Sequence, residues 1–378
     1  MPDLQHYRGR EQGFVKHALI EKYLETFAIK IGSAWNEIAY VDAFAGPWES
    51  VAEDLSDTSF CIALQRLKSG VKVVSSTKQR NVRVRAFLIE KKRQAFEKLE
   101  AFAAEQRAPG FEVTCFHGTF EDRLDEVMQS LEKTSSNRTF LFALIDPKGW
   151  TGLSMKVIAP LLRTRSAEVL VNVMTSFLHR FVDADKCAES YEDFFGRPGV
   201  RKIIAEAPAE DRQDVVVREY CRSLKAVCGF KHVSSCVVLQ PDKKGPKYFM
   251  VFGTNNPVGI KVFKDAEAHA ASLQDEIKYA REFGDQQPLF ESNEITQVSQ
   301  ALREKYRQAA FRRVDEMFEN RNRIPYRDVF CKAMAMPLVT ERELVAFLNS
   351  HPNLRLSLDG PRRTKPDIKK RDMVFCKS

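Results

Sequence analysis

The sequence predicts an α/β fold with a mostly parallel sheet: five parallel strands plus an antiparallel terminal hairpin, followed by a small C-terminal domain. Three observations carry this. Short apolar strands alternate with amphipathic helices between residues 11 and 174, the pattern of successive βαβ units. Two later strands are separated only by Pro241-Asp-Lys-Lys-Gly-Pro246, a link too short for a crossover, so they pair antiparallel. Residues 301–378 hold 18 Lys+Arg and 10 Asp+Glu, a net of +8 that equals the net charge of the whole chain. The rest is therefore neutral, and the C-terminal end is set apart by composition.

The elements follow in order. Residues 11–31 repeat Phe14, Ala18, Leu19, Tyr23, Leu24 and Phe27 at helical spacing. A strand over 38–43 runs into a polar loop, 47–57. Asp57 or Thr58 caps a helix that Gly70 is expected to end. Strands are expected at 82–89, 111–116, 139–145 and 168–174, with helices at 91–104, 120–131 and 155–164 between them. A mostly helical insertion, about 176–228, precedes the hairpin strands 233–239 and 248–252, and a helix covers 261–282. The polar stretch 284–292 marks the boundary between domains 1–290 and 291–378. Beyond it come helices at 326–336 and 340–349, a strand at 354–358, a basic turn and a strand at 372–376. Helix, helix, basic ribbon is the order of a winged helix.

Composition narrows the function. A hydrophobic fraction of 44% is that of a globular protein, and no run approaches the roughly 18–20 unbroken apolar residues of a membrane helix. Met1–Gln12 is polar, unlike a signal peptide. The eight cysteines form no Cys-x-x-Cys pair and no finger-like spacing with His, so reduced thiols, a cytoplasmic location and no metal are expected. The basic C-terminal end points to a polyanionic partner; a merely solvated basic tail is the plainer reading.

In a doubly wound sheet, ligands bind beyond the C-terminal ends of the strands. The first strand ends at Asp42-Ala-Phe-Ala-Gly46, a small-residue turn that lets a ligand approach the backbone. The second ends at Glu90, suited to accept from both ribose hydroxyls. The third leads to Thr119-Phe-Glu-Asp122, where an acidic side chain meets an exocyclic amine, and the fourth to Asp146-Pro-Lys-Gly-Trp150, at the reacting centre. Each is ordinary alone; four in order form a signal.

These residues resemble class I S-adenosylmethionine-dependent methyltransferases, and Asp42-Ala-Phe-Ala-Gly46 resembles the Asp-x-Phe-x-Gly loop of nucleic-acid members. More specifically, the chain resembles the three-Cys-motif partner (TcmP) family through Lys16-His17 to Tyr23-Leu24, Tyr40 to Gly46, Asp146 to Trp150 with Val169 to Arg180, and Pro325 to Val329. That resemblance implies a Rossmann-like methyltransferase domain, a C-terminal winged helix and a radical-SAM-like partner protein. It implies that Asp42, Phe44, Ala45 and Gly46 line the methionine end of S-adenosylmethionine, that Glu90 holds the ribose, and that Thr119, Phe120 and Asp122 meet the adenine. Asp146, Pro147 and Trp150 would face the acceptor.

The chain departs from the family pattern at Trp48, where a second glycine is usual. Lys148 follows Pro147 where cytosine C5 methylation needs a nucleophilic Cys, so an amino-group acceptor is favoured. Trp150 stacks a base or lies in the core; the sequence leaves both open. His17 and His179 are acid/base candidates or structural. Arg342, Arg362, Arg363 and Lys365 suit phosphate contact. The expected function is S-adenosylmethionine-dependent methyl transfer to nucleic acid. The alternative is an inactive adaptor of the same fold binding nucleic acid or the radical-SAM-like partner. An NAD enzyme fits less well, because Gly-x-Gly-x-x-Gly is absent.

Overall fold

A computed structural model describes residues 4–47, 50–133, 138–150, 153–163, 166–184, 187–240, 245–283, 294–360 and 363–377, apart from the side chains of 282, 283 and 294–298. The boundary 284–292, Trp48 and Arg362 lie outside these residues.

Seven strands form one sheet in the order β3-β2-β1-β4-β5-β7-β6. They are β1 Glu37–Asp42, β2 Arg83–Glu90, β3 Phe111–His117, β4 Thr139–Ile145, β5 Ser166–Val173, β6 His232–Leu239 and β7 Pro246–Thr254. The first five are parallel, and β7 pairs antiparallel with both β5 and β6. The 3-2-1-4-5 run is that of a Rossmann-like doubly wound sheet, and it reverses direction between β1 and β4. The expected antiparallel hairpin is present, and its returning strand β7, not β6, sits beside β5.

The crossovers carry α2 Ser59–Lys78, α3 Arg93–Gln106, α4 Phe120–Glu132 and α5 Met155–Arg163. Right-handed crossovers put helices on opposite faces either side of the reversal. Ahead of them, a short 3-10 turn Leu4–Tyr7 leads into α1 Glu11–Gly32. Tyr23 on α1 packs its ring against Phe27, Phe142 and Phe252, and this helix contacts α2 and α10 Pro257–Phe283.

One expected stop is corrected. Gly70 does not end its helix; α2 continues through it to Lys78. Gly70 lies where α2 crosses α1, and a Cβ there would stand 2.3 Å from the Cβ of Ala28. The glycine serves close packing rather than termination.

Among the described residues the insertion is four helices: α6 Thr175–Phe181, α7 Ala188–Phe195, α8 Val200–Ala205 and α9 Arg212–Ala226. After α10 comes α11 Glu294–Phe318, a long helix absent from the elements expected from sequence. Then follow β8 Arg323–Pro325, α12 Tyr326–Ala333, α13 Glu341–Ser350, β9 Leu354–Ser357 and β10 Met373–Cys376, the three strands forming a separate antiparallel sheet, β8-β10-β9. A capping box at Thr340 and Glu343 starts α13. These last elements are bolted to β6 of the large sheet and to α10. Ser234 Oγ on β6 donates to Met334 O at 2.6 Å, Lys264 Nζ on α10 donates to Met336 O at 2.9 Å, and Leu338 N donates to Glu267 at 2.9 Å. Glu267 is buried, and Lys264 also pairs with it. Among the described residues, no helix is long and apolar enough to cross a membrane.

Candidate active site at the strand ends

The loop after β1 is built by its own aspartate. Tyr40 and Asp42 lie two apart on one strand and so face the same side, and Tyr40 OH donates to Asp42 Oδ2 at 3.0 Å. Asp42 Oδ1 accepts from Phe44 N at 3.1 Å, closing an Asx turn. Ala43 N donates to Leu144 O and Ala45 N to Ile89 O, which stitches the loop to both neighbouring strands. Asp42 is fully buried. Burial drives its pKa up to about 7, the Asp146 charge adds to this, and the bonds from Phe44 and Tyr40 oppose it. Asp42 thus acts on the loop, while Phe44 and Gly46 face the cavity beyond it and Ala45 is buried under it.

That cavity, of about 360 Å3, lies at the C-terminal ends of β1, β4 and β5. Lys16 on α1 makes an ion pair with Asp146 Oδ2, and Asn172 Nδ2 at the end of β5 donates to Asp146 Oδ1 at 2.8 Å. A carboxylate can only accept, so the amide of Asn172 is oriented, and its buried Oδ1 is left without a partner among the described residues. Pro147 and Lys148 also line the cavity. Trp150 does not. It is half-buried against the insertion, its ring 5.4 Å from Phe181 and 6.4 Å from Tyr191, with Nε1 donating to Ser190 Oγ at 3.4 Å.

The roof comes from the N-terminus. Arg10 donates to Asp57 at 2.5 Å, and Ser50 Oγ and Val51 N donate to the same carboxylate at 2.5 and 2.9 Å. Against the cost of burial, these bonds hold Asp57 below the usual aspartate range, pinning the 50–57 loop beside the cavity. His17 is buried 2.7 Å from Tyr7 OH. Burial, with the charges of Lys16 and Arg10, holds its pKa well below normal, so the ring is neutral and is a structural partner of Tyr7.

Glu90, at the end of β2, is buried. Its Oε1 accepts from Lys92 N at 2.5 Å, while Oε2 is buried with no partner among the described residues. Burial raises its pKa against the pull of that amide and of Lys92 and Lys91. Thr119 caps α4, its hydroxyl accepting from Asp122 N at 3.2 Å and donating to Asp122 Oδ2 at 2.6 Å. Thr119 and Asp122 are exposed, and Phe120 is core. The cavity therefore gathers Phe44, Gly46, Asp146 and Pro147, with Asp42 and Ala45 beneath. It does not gather Glu90, Trp150, Thr119, Phe120 or Asp122. Lys16, Arg10 and Asp57 are site residues that sequence reasoning missed, and Asn172 is legible there only as the end of a strand, with no role. Asn172 alone had a signal, as the polar end of an apolar strand.

In the C-terminal module, Arg363 is committed. It donates to both oxygens of Asp372 at 2.6 and 2.8 Å and to the carbonyls of Asp359 and Lys365. Arg342 and Lys365 are exposed, with no ion pair among the described residues.

No protein-family model matches the chain, and no curated protein matches it. Among solved structures it is similar to a Legionella pneumophila (strain Philadelphia 1) protein of the DUF519 family, at 12% identity and a TM-score of 0.37 over 65% of this chain and 88% of that one. It is also similar to a loganic acid methyltransferase solved with SAH, at 9% identity and a TM-score of 0.32 over 75% of this chain and 91% of that one. Neither likeness carries an argument about function, and the fold class rests on the strand order.

Proposed function

We propose that the chain is a methyltransferase of the class I type that uses S-adenosylmethionine and acts on an amino group of nucleic acid. The observation that carries this reading is the unfilled buried acceptor Asn172 Oδ1, which lies beside Asp146 in the strand-end cavity; Glu90 Oε2, unfilled at the end of β2 but outside that cavity's lining, is consistent with it. A buried polar atom without a partner is costly and therefore informative. Glu90 Oε2 suits a ribose hydroxyl. Asn172 Oδ1, beside the Asp146 carboxylate, gives two adjacent acceptors for the two N–H groups of an exocyclic amine. The Asp42–Gly46 turn offers the low-profile backbone that the methionine end needs.

S-adenosylmethionine, when bound, supplies an electrophilic methyl group. The chain's part is to bind, to hold the acceptor nitrogen in line and to take up its N–H bonds, so positioning contributes most of the rate. The helices α12 and α13 with the β8-β10-β9 sheet are read as a winged helix in which Arg342 and Lys365 contact phosphate; Arg362 belongs to the same proposal. On this reading the adenine extends past the cavity to the exposed Thr119 and Asp122, Asp42 and Ala45 shape the loop, and Trp150 fixes the insertion rather than the base. Membership of the TcmP family, with its radical-SAM-like partner, remains part of this proposal.

A second reading is supported by the Lys16–Asp146 ion pair and the Asn172 bond, which together engage both oxygens of Asp146. A fold kept as a nucleic-acid adaptor would leave such a pair permanently closed. Calorimetric titration with S-adenosylmethionine, followed by transfer of labelled methyl to DNA and RNA, separates the two. Micromolar binding and transfer that Asp146→Ala abolishes support the enzyme. Absence of binding removes it in favour of the adaptor.

A further inference from the structure

A larger cavity, of about 980 Å3, opens at the opposite end of the sheet, where β4 and β5 begin and β7 ends. Its volume is that of a small-molecule site. It is distinct from the strand-end cavity, and nothing in the proposed methyl transfer uses it.

Its polar groups are nearly all donors. Lys30 on α1, Lys78 at the end of α2, Arg163 at the end of α5 and Lys369 from the turn between β9 and β10 stand around it. All four are exposed and make no ion pair among the described residues. The charge of Lys30 reaches Asp265 on α10, which is not part of the lining. Glu168 is the one carboxylate of the lining, and it is already occupied: Tyr23 OH donates to one oxygen and Thr254 Oγ1 to the other, the latter at 2.7 Å. The side-chain oxygens of Asn255 and Asn256 accept from Lys231 N and Val258 N, at 2.9 and 3.0 Å, which turns their amide N–H groups outward as further donors. Such a lining matches an anion rich in acceptors.

Its wall is aromatic. Trp35 and Phe140 are each half-buried, their rings 5.3 Å apart in an edge-on pair, and Phe27 packs behind Phe140 at 5.7 Å. A partly exposed indole beside unpaired cations is the combination that holds a base by its face and a phosphate by its charge.

We propose that this cavity binds a nucleotide, its base against Trp35 and its phosphate among Lys30, Lys78, Arg163 and Lys369. Because Lys369 comes from the C-terminal module, binding also ties that module to the sheet domain. The nucleotide is either free or a unit of a single strand; the chemistry is the same. The inference does not depend on methyl transfer.

The test uses the full chain. Uridine monophosphate is titrated calorimetrically, since its pyrimidine does not imitate adenosine, with inorganic phosphate alone and a labelled oligouridylate as parallel probes. Uridine monophosphate should bind at least tenfold more tightly than phosphate, and Lys30→Glu with Arg163→Glu should weaken it at least tenfold. Trp35→Leu should weaken it severalfold while leaving phosphate unchanged. Binding of the oligouridylate with the same sensitivity makes the ligand a strand, and binding of the mononucleotide alone makes it free; both support the site. Equal affinity for phosphate and nucleotide, or affinities that the charge reversals leave intact, would overturn it. The reversed residues are exposed and unpaired, so unchanged melting separates lost binding from lost fold. Unchanged titration with S-adenosylmethionine separates this site from the strand-end cavity.

Discussion

Lys16 and Asp146 are 130 positions apart in the chain and form one ion pair over the strand-end cavity, with Asn172 holding the carboxylate's other oxygen. The helix that covers the sheet thus supplies a cation to the residue proposed to face the acceptor. Both side chains are shielded, at 17% and 12% exposure, so the pair is neither a surface bridge of negligible worth nor a fully buried one.

Replacing Lys16 with Met should leave the Asp146 carboxylate half-shielded with Asn172 as its remaining donor. The expected cost is about 1–3 kcal/mol of stability, from an uncompensated charge. Methyl transfer should fall at least tenfold through loss of alignment. Thermal melts and single-turnover transfer check the two effects, and an unimpaired rate would place Asp146 outside the chemistry.

Glu90→Gln keeps the size of the side chain and the acceptor for Lys92 N, but replaces the unfilled Oε2 by a donor. On the proposed reading, a ribose hydroxyl then loses its acceptor. S-adenosylmethionine affinity should drop about 10- to 100-fold, or about 1.4–2.8 kcal/mol, with little change in folding. Calorimetry reads this directly, and an unchanged Kd would move the ribose elsewhere.

The sheet was legible because strand and helix periods differ, and each buried strand of this chain is an apolar run with a polar residue at its end. Asp42, Glu90 and Asp146 could therefore be placed by counting. What sequence did not reveal is which polar groups meet across the fold. Lys16 reads as one more charge on an amphipathic helix, and its partner is set by how α1 crosses the sheet. Trp150 carried two readings that only packing separates, and the rings of Phe181 and Tyr191 belong to an insertion whose path no local pattern dictates. Arg363 looked free because a basic turn does not announce that Asp372, nine residues on, will close over it.

Gly70 shows the same limit from the side of sterics. A glycine after a helical run reads as a stop, yet here it is the contact point of α1 and α2. Gly70→Ala should force the helices apart, because the new Cβ would lie 2.3 Å from that of Ala28. A loss of about 1–3 kcal/mol is expected. Urea unfolding measures it, and a neutral result would mean that the crossing relaxes freely.

Glu168 predicts a pH dependence. It is fully buried, and burial lifts its pKa from the ordinary 4.5 to about 7, against the hydrogen bonds from Tyr23 and Thr254. Below pH 4.5 the group is protonated in both states. Between 4.5 and 7 the native state keeps a proton that the unfolded chain releases, so stability falls as pH rises through this window and levels off above about 7. The loss is at most about 3 kcal/mol at about 1.36 kcal/mol per pH unit. Asp42, raised to about 7 by the same cause, adds a loss of the same sign. Glu168→Gln stays neutral throughout and should flatten the decline by about 2–3 kcal/mol between pH 5 and pH 8, measured by urea unfolding of both proteins at each pH. Parallel declines in the two proteins would assign the dependence to Asp42 or another group.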